Sequence, residues 1–94
     1  MPFVIVQHRL KDYGTWKPVF DEHQAVREQH GGKGHRLYRP VGDPNSAIIV
    51  NEFATAEGAE AFMADPSLPE AMDRGGVEMP PNVWLCDEIE TLTY

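Results

Sequence analysis

The sequence predicts an α+β domain in which one four-stranded antiparallel sheet is covered on a single face by two helices. Three observations carry this. Two segments, 3–9 and 46–53, are apolar on both faces and suit central strands. Each is followed by a stretch of helical spacing, and a hairpin lies between the two halves. Ninety-four residues have room for one hydrophobic core, so the chain is read as a single domain over 1–94.

Phe3 to Arg9 is rich in β-branched residues and forms the first strand. Asp12 stands where a helix N-cap would, and Trp16, Val19, Phe20, His23, Val26 and His30 recur at spacings of three and four, which predicts one amphipathic helix reaching His30. Pro18 places the start of its regular part near Lys17, with Thr15 or Trp16 as an alternative cap, and Gly31-Gly32 ends it. Residues 35–41 predict the second strand, Gly42-Asp43-Pro44-Asn45 a turn, and 46–53 the third strand. Thr55 caps a second helix over Ala56 to Ala64. Asp65-Pro66 interrupts that helix, and Ser67 followed by Glu70 predicts a capping box for a continuation to Gly75-Gly76. Met79-Pro80-Pro81-Asn82 reads as a loop and Val83 to Tyr94 as a long last strand. The order is β-α-β-β-α-β, the ferredoxin-like arrangement. Its second sheet face is also apolar, through either the Phe3, Ile5 set or the Val4, Val6 set, and a patch of that size predicts a homodimer.

The formal charge of −7, from 15 acidic and 8 basic residues, argues against nucleic acid, which needs clustered Lys and Arg. The one cysteine, Cys86, rules out an intrachain disulfide framework and any CxxC motif, and a cytoplasmic protein is expected. The apolar run at the amino terminus is short for a signal peptide or a membrane span, so no membrane partner is expected.

His23 is the most informative side chain, because helical spacing sets it in the middle of the apolar stripe that faces the sheet. An imidazole there is either a core histidine satisfied by a backbone carbonyl or an acid/base group projecting into a pocket. Arg27, one turn on, is either a surface arginine lying over the helix edge or a clamp on an enolate, phenolate or carboxylate. Trp16, Phe20, Tyr38, Asn51, His8 and Trp84 are the candidates for lining a substrate pocket, with the two tryptophans equally readable as plain core aromatics. His23 and His30 are seven residues apart, about 10 Å along one helix, which predicts no shared metal ion. Gly31-Gly32-Lys33-Gly34 follows a helix and forms no phosphate loop.

The element order, the run Asp12-Tyr13-Gly14-Thr15-Trp16-Lys17-Pro18-Val19-Phe20-Asp21-Glu22-His23, and Asn51-Glu52-Phe53 leading to Asp65-Pro66-Ser67-Leu68 together resemble the dimeric α/β barrel superfamily. This group includes antibiotic-biosynthesis monooxygenases, aromatic polyketide cyclases, muconolactone isomerases and haem-degrading enzymes. The resemblance implies a homodimer built as a dimeric α/β barrel. It also implies a cofactor-independent enzyme acting on a polyketide-like or other aromatic molecule as monooxygenase, cyclase or isomerase. For that chemistry the residues offer His23 and Arg27 as catalytic candidates, with Tyr38 or Asn51 as alternative partners of His23. The second helix carries Phe62, Met63 and Met72 where haem-degrading relatives often carry a histidine, so no haem and no other cofactor is expected. The competing expectation is a non-catalytic domain that holds a small ligand or a protein partner.

Overall fold

A computed structural model describes residues 1–94. Its elements are β1 (Phe3–Leu10), α1 (Tyr13–Glu22), α2 (Gln24–Gln29), β2 (Gly32–Tyr38), β3 (Ser46–Phe53), α3 (Ala56–Met63), α4 (Ser67–Arg74) and β4 (Val77–Cys86). The four strands form one antiparallel sheet in the order β2-β3-β1-β4, which is the ferredoxin-like α+β fold. The two most apolar strands, β1 and β3, are central, as burial on both sides requires.

Pairing of Val4 with Asn51, Val6 with Ile49 and His8 with Ala47 puts these six residues on one face, beneath the helices. The Val4, Val6 set is therefore the inner one. Phe3, Ile5, Ile48 and Val50 lie on the opposite, open face, because alternate residues of a strand point to opposite sides. The core joins Val4, Val6 and Ile49 to Trp16 and Phe20 of α1, Phe53 of β3 and Ala59 and Phe62 of α3.

Four segments depart from the sequence reading. The first helix begins at Tyr13, where Asp12 accepts a 2.9 Å bond from the Thr15 amide, and Pro18 sits inside it rather than in its first turn. It also breaks at His23, which ends α1 and precedes α2. The second strand occupies Gly32–Tyr38, earlier than predicted, because Gly31 takes a left-handed backbone (φ 87°) and turns the chain straight into the sheet. The capping box is not formed: Pro66 is the N-cap of α4, and the Ser67 hydroxyl donates to Asp65 instead.

The last strand starts at Val77 and contains Pro80 and Pro81, while residues 87–94 have no regular structure. Two prolines are tolerated because β4 is an edge strand, where a missing N–H leaves no ladder bond unmade. Between Gln7↔Asn82 and Arg9↔Glu78 the register shifts, so that His8 alone stands opposite residues 79–81. No helix is long and apolar enough to cross a membrane.

Candidate active site between helices and sheet

A cavity of about 260 Å³ lies between the helical layer and the inner sheet face. Its walls are mostly apolar: Val4, Val6 and Ile49 from the sheet, Trp16, Val19 and Phe20 from α1, Phe62 and Met63 from α3, and Leu68 and Met72 from α4. The Trp16 and Phe20 rings stack with centroids 4.8 Å apart and form one flat wall. Four polar side chains enter it: His8, His23, Arg27 and Asn51.

His8 reaches the cavity from the irregular end of β1, is 6% exposed, and has no partner for its Nδ1. Burial pushes its pKa down to about 4, so the ring is neutral near pH 7. Asn51 occupies the inner face between Val4 on β1 and His35 on β2. Its Nδ2 donates to the Val4 carbonyl at 3.3 Å and its buried Oδ1 is unpartnered.

Arg27 is the largest departure from expectation. The reading of it as a surface arginine is overturned, since it is 6% exposed and lines the cavity from α2. Its NH1 donates to the Phe20 carbonyl at 3.0 Å, its Cζ lies 3.9 Å over the Phe20 ring, and its NH2 is buried without a partner. Helical spacing accounts for this, because Trp16, Phe20, His23 and Arg27 follow one another at intervals of four, three and four and so share one stripe of the helical surface. Burial lowers the pKa of Arg27, and the carboxylates of Asp21 and Glu28 oppose that.

His23 is 8% exposed and bonded to a side chain: its Nε2 lies 2.9 Å from Ser67 Oγ. The reading as a core histidine bonded to a backbone carbonyl is therefore replaced by a cavity-lining histidine held from α4. Its pKa is lowered, first by burial and then by the Arg27 charge. Asp65 opposes this and Arg74 adds to it.

Two predicted residues are not at this site. Trp84 pairs with Ile5 on the open face and is 51% exposed, and its neighbour Val83 lines the cavity in its place. Tyr38 pairs with Ile48, likewise on the open face, and is 50% exposed. In both cases strand alternation decides the side, and the one-residue register was not legible from the sequence.

Three residues were missed. His35, on the inner face of β2, packs edge-on against Phe20 at 4.8 Å, and burial and the Arg27 charge lower its pKa. Ser67 and Asp65 support His23. The Asp65-Pro66-Ser67 sequence marks the turn that holds them, but a contact between residues 23 and 67 leaves no trace in local spacing.

The chain is thus an α+β protein with a partly open, mostly apolar cavity between one sheet and its helices. More particularly, it has the fold of the antibiotic-biosynthesis-monooxygenase-like proteins. SnoaB, a cofactor-independent oxygenase from Streptomyces nogalater, superposes with a TM-score of 0.80 at 18% identity, covering 99% of this chain and 97% of that one. A protein from Bordetella bronchiseptica classed among antibiotic biosynthesis monooxygenases gives 0.78 at 14% identity, covering 95% and 97%. The ActVA-Orf6 monooxygenase from Streptomyces coelicolor, in complex with nanaomycin D, gives 0.69 at 13% identity, covering 99% and 91%. No family model matches the chain and no curated protein matches it in sequence.

Proposed function

We propose that this chain is a small cofactor-independent enzyme that binds an aromatic or polyketide-like molecule in the cavity and acts on it by proton transfer. The observation that carries this reading is a mostly apolar cavity with four polar residues in its lining, of which Arg27, Asn51 and His8 each hold a buried atom without a protein partner (NH2, Oδ1 and Nδ1). Leaving such atoms unpaired costs about 1–3 kcal/mol each, and a ligand carrying oxygen atoms on a flat apolar frame satisfies them. The stacked wall of Trp16 and Phe20 suits the frame. A volume of about 260 Å³ lies below the range of about 300–1,000 Å³ usual for drug-sized ligands, which favours one or two rings.

His23 takes a proton from an activated C–H or O–H of the ligand, and the Arg27 guanidinium stabilises the oxyanion that results. Cyclisation or isomerisation then follows from the enolate itself. Oxygenation requires dioxygen as co-substrate in addition. The likeness to SnoaB and the ActVA-Orf6 protein supports the general kind of chemistry.

The active form is a homodimer with the open sheet faces together, as the apolar row of Phe3, Ile5, Ile48 and Val50 favours. The test of function is turnover of one- and two-ring hydroxyquinones and quinols, followed by absorbance, for the wild type and His23→Gln. A loss of about 10²-fold or more in rate with ligand binding retained is expected. Normal turnover by the glutamine variant refutes the catalytic role, and binding without turnover in either protein leaves the ligand-holding domain as the reading.

A further inference from the structure

Outside the cavity wall, at the turn between α3 and α4, one carboxylate gathers two histidines. Asp65 Oδ2 lies 2.8 Å from His30 Nε2, and Asp65 Oδ1 accepts from the Ser67 hydroxyl at 2.7 Å and from the Ser67 amide at 2.9 Å. The same hydroxyl is 2.9 Å from His23 Nε2. Both imidazoles pack against Phe62, with ring centroids at 6.0 and 6.4 Å.

The direction of every bond in this chain follows from counting donors. An ionised carboxylate only accepts, and a serine hydroxyl has one proton. The Ser67 proton is committed to Asp65, so Ser67 Oγ is left as an acceptor and the bond to His23 requires a proton on Nε2. In a neutral imidazole the other nitrogen then carries the lone pair. Asp65 is secure in its ionised form: the His30 bond, the two Ser67 bonds and the His30 charge hold its carboxyl well below the usual carboxylate range, against the opposing effect of its burial.

We infer that Asp65 and Ser67 are positioning residues that hold His23 as its Nε2–H tautomer, making Nδ1 the atom that accepts a proton from the ligand. The inference deepens the acid/base reading of His23 and rests on it for its role in turnover, though not for the tautomer itself. In the step, the ligand's activated O–H or C–H bond breaks and an Nδ1–H bond forms. The electron pair stays on the ligand as an oxyanion or enolate, and the imidazolium keeps its Nε2 proton on Ser67. Asp65, one hydroxyl away, balances the new positive charge, which Arg27 on α2 and Arg74 on α4 oppose. The break between α1 and α2 contributes by setting His23 at a helix junction, where its ring reaches α4.

The test is nitrogen-15 NMR of the imidazoles in the ligand-free full chain, which needs no substrate and so separates this inference from the proposed activity. The wild type is expected to show His23 protonated on Nε2, with that proton protected from solvent exchange. Ser67→Ala is expected to lose the protection, and Ser67→Thr, which keeps a hydroxyl, to restore it. Asp65→Asn removes the balancing charge and is expected to shift the His23 titration to lower pH by about one unit. A His23 proton on Nδ1 in the wild type overturns the inference. So does a protected Nε2 proton that survives Ser67→Ala, or a His23 titration indifferent to Asp65→Asn while amide dispersion reports an intact fold.

Discussion

The guanidinium of Arg27 and the residue Phe20 meet twice: NH1 donates to the Phe20 carbonyl at 3.0 Å, and Cζ lies 3.9 Å over the Phe20 ring. One residue thus fixes the cation by a hydrogen bond and a cation–π contact, while NH2 stays buried without a protein partner. An arginine pinned in this way is pre-organised for an anionic ligand, because little further side-chain freedom is lost on binding.

Arg27→Met keeps most of the volume and removes the buried charge. The stability of the ligand-free protein should stay level or rise, since an incompletely paired buried cation carries a desolvation cost. Affinity for a phenolate-bearing ligand should fall about tenfold or more, the loss expected for a charged hydrogen bond of about 1.5–3 kcal/mol. Thermal denaturation with and without ligand checks both.

His8 makes stability depend on pH in a defined window. Its folded pKa of about 4 lies below the ordinary histidine value of 6.5, so the unfolded chain binds the extra proton between these values. Its contribution is full above about 6.5 and is lost as pH falls toward 4, amounting to about 3 kcal/mol over the window. His23 and His35, also lowered, act in the same direction. His8→Phe should flatten the acid limb, as urea unfolding at a series of pH values would reveal.

Gly58 lies in the first turn of α3, where alanine normally stabilises a helix. Here a Cβ would stand 2.3 Å from the His30 carbonyl oxygen, which is backbone and cannot move aside easily. Gly58→Ala should therefore destabilise by about 1–3 kcal/mol through overpacking. It should also shift the His30 imidazole resonances, because the close approach of α3 to the end of α2 sets the distance from His30 to Asp65.

The open sheet face supplies the dimer test. Ile5→Lys places a charge in the middle of the apolar row without touching the cavity on the opposite face. Light scattering should give twice the chain mass of 10.6 kDa for the wild type and the single mass for the variant. A wild type that remains monomeric at micromolar concentration would refute the dimer.

Much of the fold was legible because it is written in short-range signals. The β-branched strand at 3–9, the Thr55 cap with its bond to the Gly58 amide, and the third strand at 46–53 each depend on residues adjacent in sequence. Their order then leaves few ways to cover one sheet with helices. The inward side of His23 follows from helical spacing, and His8, Trp16, Phe20 and Asn51, pocket candidates by sequence, line the cavity.

What only the tertiary structure decided are matters of direction and of long-range partnership. Strand register sent Tyr38 and Trp84 to the far face, because a shift of one residue exchanges the two sides of a strand. The edge position of β4 let Pro80 and Pro81 lie within a strand. The contact between His23 and Ser67 spans 44 residues and forms only once α4 has docked beside α1 and α2. Local sequence sets which conformations each segment favours. Which polar atoms meet, and which are left unpaired for a ligand, is decided by packing the segments into one core, where the cost of an unsatisfied group is felt.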